Sequence, residues 1–259
     1  MQADRELEGW RRFAARAVWR THRRFSYHCA YALYRFGAHK QFANRLTEPH
    51  SHIKVLVTST KWANFFALRA HSAAQPEFRV LADEIAIAVE SSMPVLLENG
   101  QWYLPYITAS DYEAITGHIS ANGMGGSGGG NGGTTGGTYA HIDPVRLHEL
   151  RVHAAIRVSV ARCARVSFTT VTDDSVKNAP PFYNLERDMD LGDQLISADP
   201  MHASPLEHVA QPDPQGLYTS QWGNFHGWIQ YRKTRNNEAK TDRRYKGSYT
   251  PANKGNALL

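Results

Sequence analysis

The sequence predicts a helix-rich α/β (α+β) fold. Three observations carry that reading. Apolar residues recur at helical spacing over 5–37 and again from Pro76 to about Ser92. A further helical stretch follows Asp143–Pro144, a start signal in which aspartate caps and proline takes the first turn. Short runs such as Arg165–Val171 (RVSFTTV) have β character.

At 259 residues the chain can bury a sizeable core in one or two domains. A net charge of +5, with 13 histidines besides, suits an anionic substrate, a phosphate-bearing cofactor or weak non-specific nucleic-acid contact. It selects none of them. Cys29 and Cys163 form no CxxC, which argues against a zinc ribbon or a disulfide framework and fits a reducing, cytoplasmic setting. Met1–Arg24 is rich in arginine and lacks an apolar h-region, so no secretory signal is expected. No run of about 18 apolar residues exists to span a membrane.

Residues 5–37 read as one helix, with Leu7, Trp10, Phe13, Ala17, Phe25, Cys29, Leu33 and Phe36 near i, i+3, i+4 spacing. Arg5, Arg12, Arg16, Arg20, Arg23 and Arg24 fall on other faces, as a solvated basic face or as a nucleic-acid site. Gly37 is a suitable stop. A second helix is expected over 38–47, ending before Pro49. His52–Val57 fits a short strand or an apolar helix start. Thr58, Ser59 and Thr60 offer capping oxygens to a helix carrying Trp62, Phe65, Phe66 and Leu68. Pro76 restarts a helix through Phe78, Leu81, Ile85 and Val89, and Gln101–Ile107 reads as a buried irregular segment.

Residues 122–138 are glycine-rich without the fixed register or GK[ST] of a phosphate loop, so they read as a flexible linker. Beyond them, a helix is expected to about Ala164 and another over Phe182–Ala198. A compact turn over 201–210 leads to a possible strand. From Arg235 the chain is polar and basic and reads as disordered. The expected parts are thus 1–121, the linker, 139–234 and a tail, 235–259.

Three blocks hold the candidate chemistry: 58–79 (TSTKWANFFALRAHSAAQPEFR), 160–168 (VARCARVSF) and 202–208 (HASPLEH), the last supported by 223–233 (GNFHGWIQYRK). In the first, Asn64 and Arg69 share a helix with Phe65 and Phe66. A guanidinium there stays charged and can present a fork of donors to a planar anion, or it can simply snorkel at the surface. In the third, His202, Ser204, Glu207 and His208 crowd together. No GxSxG elbow or HExxH spacing accompanies them, and Ser204 with Glu207 has the form of a capping box.

Taken together and in this order, the LR helix with its AQPE stretch, the ARVSF block and the HxSPxEH block resemble flavin-dependent thymidylate synthases, more closely the long, permuted branch. The resemblance covers most of 38–110 and 158–233. It implies a helix-rich subunit with a small mixed or antiparallel sheet, in a homotetramer with active sites between subunits. It further implies FAD as cofactor, dUMP as substrate, and NADPH and methylene-tetrahydrofolate as co-substrates, with no metal, membrane or specific nucleic-acid partner. By position, Arg69 matches the arginine that contacts and activates the uracil, and Arg45 matches a second dUMP-binding arginine. Thr58, Ser59, Thr60, Asn64, His202 and Ser204 match FAD-contacting positions. No cysteine attacks the pyrimidine in that family. The chain departs from the family at Ala73, Leu206 and His226, where His, Phe and Arg are frequent. The family's RHRxxSxNxxSxR motif is not found in the chain, so the alternative expectation is a truncated remnant or a partner subunit that needs that motif in trans.

Overall fold

The structure is a computed structural model in which residues 6–122, 143–166 and 184–238 are described. It is helix-rich, with one small two-stranded antiparallel sheet among the described residues. The described residues fall into two compact units. The first comprises 6–53 and 63–92. The second comprises 54–62 and the described residues from 93 to 238.

In the first unit, α1 (Gly9–Arg35) runs 27 residues and stops as the sequence predicts. Gly37 takes φ +90°, its N–H bonds to the Tyr34 carbonyl, and the Ala38 N–H reaches back to Leu33. That left-handed turn satisfies carbonyls the helix leaves open, and glycine enters it without steric cost. The periodic apolar residues do not form a buried stripe, however. Trp10, Phe13 and Phe25 are exposed, and only Ser26 and Ala30 of α1 are buried. The segment that follows packs against α1.

That segment is α2 (Lys40–Asn44), followed by a tight 3-10 turn over Arg45–His50. The expected 38–47 helix thus ends at Asn44, and the chain passes through Pro49 in a geometry that does not need every i→i−4 donor. His52–Val57 is neither strand nor helix, and Ile53, Val55 and Val57 are exposed. Two further helices follow, α3 (Trp62–Arg69) and α4 (Pro76–Glu90). Ser59 Oγ accepts from the Lys61 N–H just ahead of α3, and Pro76 occupies the first turn of α4.

The second unit is organised around α6 (Pro144–Arg165), with α5 (Ala109–Asn122) and α7 (Leu185–Ser197) against it. Asp143 caps α6 by accepting from the Arg146 N–H at 3.3 Å. The middle of α6 carries small and β-branched residues, among them Ala154, Ala155, Ile156, Val158 and Val160, all buried. One apolar cluster joins Ile115 and Ile119 of α5 to Ala154, Ala155 and Val158 of α6 and Met189 of α7. A second joins Ile156, Val160 and Ile196 to Met201, Leu206, Val209 and Tyr231. At the α6–α7 crossing, a Cβ on Gly192 would collide with the Arg157 carbonyl.

α5 has no counterpart among the helices expected from the sequence. Its start is nonetheless written in a Thr-x-x-Asp box: Thr108 N–H donates to Asp111 at 2.8 Å, and Asp111 N–H returns to Thr108 Oγ1 at 3.3 Å. Because α5 belongs with α6 and α7, the compact units do not part at the glycine-rich segment. Within Gln101–Ile107, Pro105 is buried while Trp102 and Leu104 are partly so. Tyr103 pairs as an isolated bridge with Ala210. β1 (Ala210–Pro212) pairs antiparallel with β2 (Trp228–Gln230), with Gln211 opposite Ile229.

The turn expected over 201–210 contains α8 (Ala203–Leu206), whose cap is His202. Ser204 lies inside that turn, so the Ser204/Glu207 capping box does not form. The start of the tail is held: Asn237 Nδ2 donates to the Ile196 and Ala198 carbonyls, each at 2.7 Å. Arg165 closes α6 instead of opening a strand. Residues 167–171, nearly all of the glycine segment (123–138) and the tail beyond 238 lie outside the described residues.

Two glycine substitutions should separate packing from propensity. Gly192→Ala is expected to destabilise the protein by about 1–3 kcal/mol through backbone collision. Gly117→Ala, with nothing within 4 Å of its Cβ, should stabilise it by about 0.5–1 kcal/mol. Urea melts of the two variants check the opposite signs.

Candidate functional site

In the second unit, the threonine-rich stretch and the HASPLEH turn meet. Thr58 Oγ1 and His208 Nδ1 are hydrogen-bonded at 3.0 Å, across 150 residues of chain. Thr60 Oγ1 accepts from the His226 N–H at 2.9 Å. The HASPLEH turn is polarised by its apolar residues. Pro205 and Leu206 are buried, and burial in the core orients everything around them. His208 follows them inward, while His202 and Ser204 remain exposed.

The GNFHGWIQYRK stretch completes this region. Gln230 is fully buried and satisfied from three sides. Its Nε2 donates to Asn224 at 2.7 Å and to the Glu207 carbonyl at 3.3 Å, and its Oε1 accepts from Arg232 Nε at 3.1 Å. Gly223, at φ +62°, lies so close over the Gln230 amide that a Cβ would clash with it. Arg232 also reaches Glu207 at 3.7 Å. The loop between β1 and β2 is fixed by Asp213, which accepts from the Leu217 N–H, the Tyr218 N–H and Trp222 Nε1. Burial alone would raise its pKa, but these three donors outweigh it and hold the carboxyl below its ordinary value. Trp222 meets His226 edge-on, with ring centroids 5.1 Å apart.

His208 is the titratable group at the centre. Burial lowers its pKa below the ordinary 6.5, and the opposing pull of Glu207 is smaller. The imidazole is therefore neutral at neutral pH, with one ring nitrogen engaged by Thr58.

The VARCARVSF block has a different role. Arg162 is buried and grips Asp111 with two bonds, at 2.8 and 2.7 Å, the Tyr106 carbonyl at 2.6 Å and Asp188 at 3.1 Å. Arg165 pairs with the other oxygen of Asp188. Desolvation would raise the Asp111 pKa, yet Arg162 and Thr108 together hold it down at about 2. Cys163 lies buried beside them, and burial pushes its thiol up to about 12, which leaves no thiolate for chemistry.

The remaining expected site residues belong to the first unit. Arg69 ends α3, exposed, with its guanidinium 5.6 Å from the Phe78 ring centroid. Its aromatic neighbour is thus on α4 and is not Phe65 or Phe66, which contact each other. Arg45 opens the 3-10 turn and Asn64 sits on α3, both exposed. The structure therefore brings Thr58 and Thr60 to the 202–208 and 223–233 blocks. His202, Ser204 and Ser59 lie in those same segments, and Arg45, Asn64 and Arg69 stand in the other unit.

Two features go beyond the expected site residues. His208 was read only as part of a motif, although a histidine beside buried Leu206 and Val209 signals an inward ring. On α1, His22, Arg23 and Ser26 keep the H-R-x-x-S spacing of the motif that is not found intact, and Ser26 is the buried member. Among the described residues, no three His, Cys, Asp or Glu side chains gather as a metal site. No protein-family model, curated protein or solved structure matches the chain.

Two of the shifted groups, His208 and Asp111, give a pH prediction. The unfolded chain takes up a proton at His208 before the fold does, so stability is full above pH 6.5 and declines below it. Asp111 contributes above its ordinary 3.8, and that contribution is lost as pH falls towards about 2. Stability measured by urea melts should fall in these two separate windows. His50, also held below its ordinary value by desolvation and by His22 and Arg23, contributes to the upper one too. His208→Gln should therefore shrink the upper window and leave the lower one unchanged.

Proposed function

We propose that the chain is a FAD-dependent enzyme that methylates dUMP to dTMP, in the manner of the flavin-dependent thymidylate synthases it resembles. The observation that supports it most is the Thr58–His208 bond. It joins two segments, one on each side of the glycine-rich stretch, that the resemblance assigns to a single flavin cradle. The Thr60–His226 bond adds the GNFHGWIQYRK segment, which the resemblance also covers.

The donor set fits a flavin nucleotide. His202 and Ser204 present an imidazole and a hydroxyl to solvent, and both can donate to or accept from ring and phosphate oxygens. Thr58 and Thr60 are already engaged, so they shape the segment, while Ser59 and Asn64 are exposed beside it in sequence. Bound FAD would supply two-electron chemistry, with NADPH as reductant and methylene-tetrahydrofolate as carbon source.

In this reading, Arg69 is the catalytic residue. Its guanidinium is braced on Phe78, which restrains the fork and leaves N–H groups for an anion. A fixed cation beside the pyrimidine stabilises the negative charge that develops when the ring is activated. Arg45 would bind the nucleotide in support. The subunits assemble as a homotetramer with active sites between them. The second reading, a partner subunit that needs an RHR-type segment in trans, is favoured by the broken motif: only His22, Arg23 and Ser26 of its start are kept.

The test is tritium release from 5-labelled dUMP by the purified, yellow protein, given NADPH and methylene-tetrahydrofolate. Arg69→Ala should lower turnover by about 10²–10³ and leave the far-ultraviolet spectrum unchanged. Activity that appears only on mixing with a chain carrying an intact motif selects the second reading. A colourless protein, inactive alone and in that mixture, removes both.

A further inference from the structure

We infer that the arginine and aromatic face of α1 is a track for single-stranded nucleic acid. The inference is independent of the flavin reading. α1 carries seven arginines and no aspartate or glutamate over its 27 residues. None of the ion pairs among the described residues involves any of them.

Their placement matters more than their number. Arg12, Arg16 and Arg20 follow one another at i, i+4, so they line one face about 6 Å apart along the axis. Arg23 and Arg24 continue the row, and Tyr27, Tyr31 and Tyr34 extend it to the helix end. All eight are exposed. Two surface depressions lie along this row. One is lined by Arg12, Arg16, Arg20 and Trp19, the other by Arg23, Arg24, Tyr27, His28 and His50. At the second, His50 bonds to His22 at 2.7 Å through Nε2, while its buried Nδ1 has no partner among the described residues. The acidic groups nearby are Glu6 and Glu8 ahead of the helix and Glu48 in the 3-10 turn.

Cations at regular spacing that lead into exposed rings match a polyanion whose bases can stack. The arginines track phosphates, and the tyrosines offer π faces. A helix for an anionic membrane segregates its apolar and cationic residues to opposite faces. Here the exposed tyrosines stand on the cationic face itself, although Val18 and Phe25 are exposed on the opposite one. A duplex would use the charges but leave the rings without bases to stack on.

The test is fluorescence anisotropy of the full chain with a labelled twelve-residue oligo-dT across a salt series. Binding should weaken steeply with salt. Replacing Arg12, Arg16 and Arg20 together by Gln should weaken it at least tenfold and lower the salt slope by about 2, since each lost phosphate contact removes about 0.7. The matching triple Lys variant should keep that slope. Tyr31→Ala and Tyr34→Ala should each weaken binding at least fivefold with the slope unchanged. Circular dichroism checks that α1 persists in every variant, and the Lys and Ala variants decide the matter if the Gln variant unfolds. The inference is overturned if the oligonucleotide does not bind, or if a twelve-base-pair duplex binds as tightly and the tyrosine variants change nothing. It is equally overturned if phosphatidylglycerol-containing vesicles bind where the oligonucleotide does not.

Discussion

The buried guanidinium of Arg162 is the constraint on which the second unit depends. A charge that has left water must be met on all sides, and here two carboxylates and a backbone carbonyl meet it. Those partners come from three places: the start of α5, the irregular segment before it and the first turn of α7. One side chain on α6 therefore sets where its neighbours sit. The apolar clusters on either flank then fill a space whose geometry the ionic contacts have already specified. Removing one partner would strand a buried charge, which costs far more than the pair itself contributes.

The same frame places the candidate site. β1 and β2 follow directly from the HASPLEH turn and return the chain to it, so Gln230 and Arg232 lie beneath Glu207. Above this floor of satisfied amides, His202 and Ser204 are the solvent-exposed chemical groups of that turn. His208 points the other way and joins the core to a segment far off in sequence. The site thus has a structural histidine and a solvent-facing one within seven residues. Composition treats the two alike, and only burial separates them.

What was legible in the sequence follows from how local each determinant is. Helix starts at Pro76 and Asp143 and the stop at Gly37 were read correctly, because capping and left-handed turns are fixed by adjacent residues. α5 was hidden by its mixed pattern, Gly117 included, although Thr108 and Asp111 spell its beginning. The periodicity of α1 predicted a helix and also a buried stripe, but period reports conformation and not what lies opposite. Arg162 shows the harder limit. Nothing near it in sequence announces Asp111, 51 positions away, and a basic residue on a helix is ordinarily solvated. The site was legible as three blocks and illegible as an arrangement, since the Thr58–His208 bond depends on the long-range packing of the whole unit.

The segment Lys54–Trp62 belongs to the second unit although residues on both sides of it belong to the first. Dissection of the chain must respect this interleaving. A fragment beginning at residue 93 would keep α5, α6, α7 and both strands, yet it would strip the hydroxyls of Thr58 and Thr60 from His208 and His226. Its imidazole at 208 would meet solvent where it now meets a threonine. Neither unit is therefore a single stretch of chain that can be cut out in one piece.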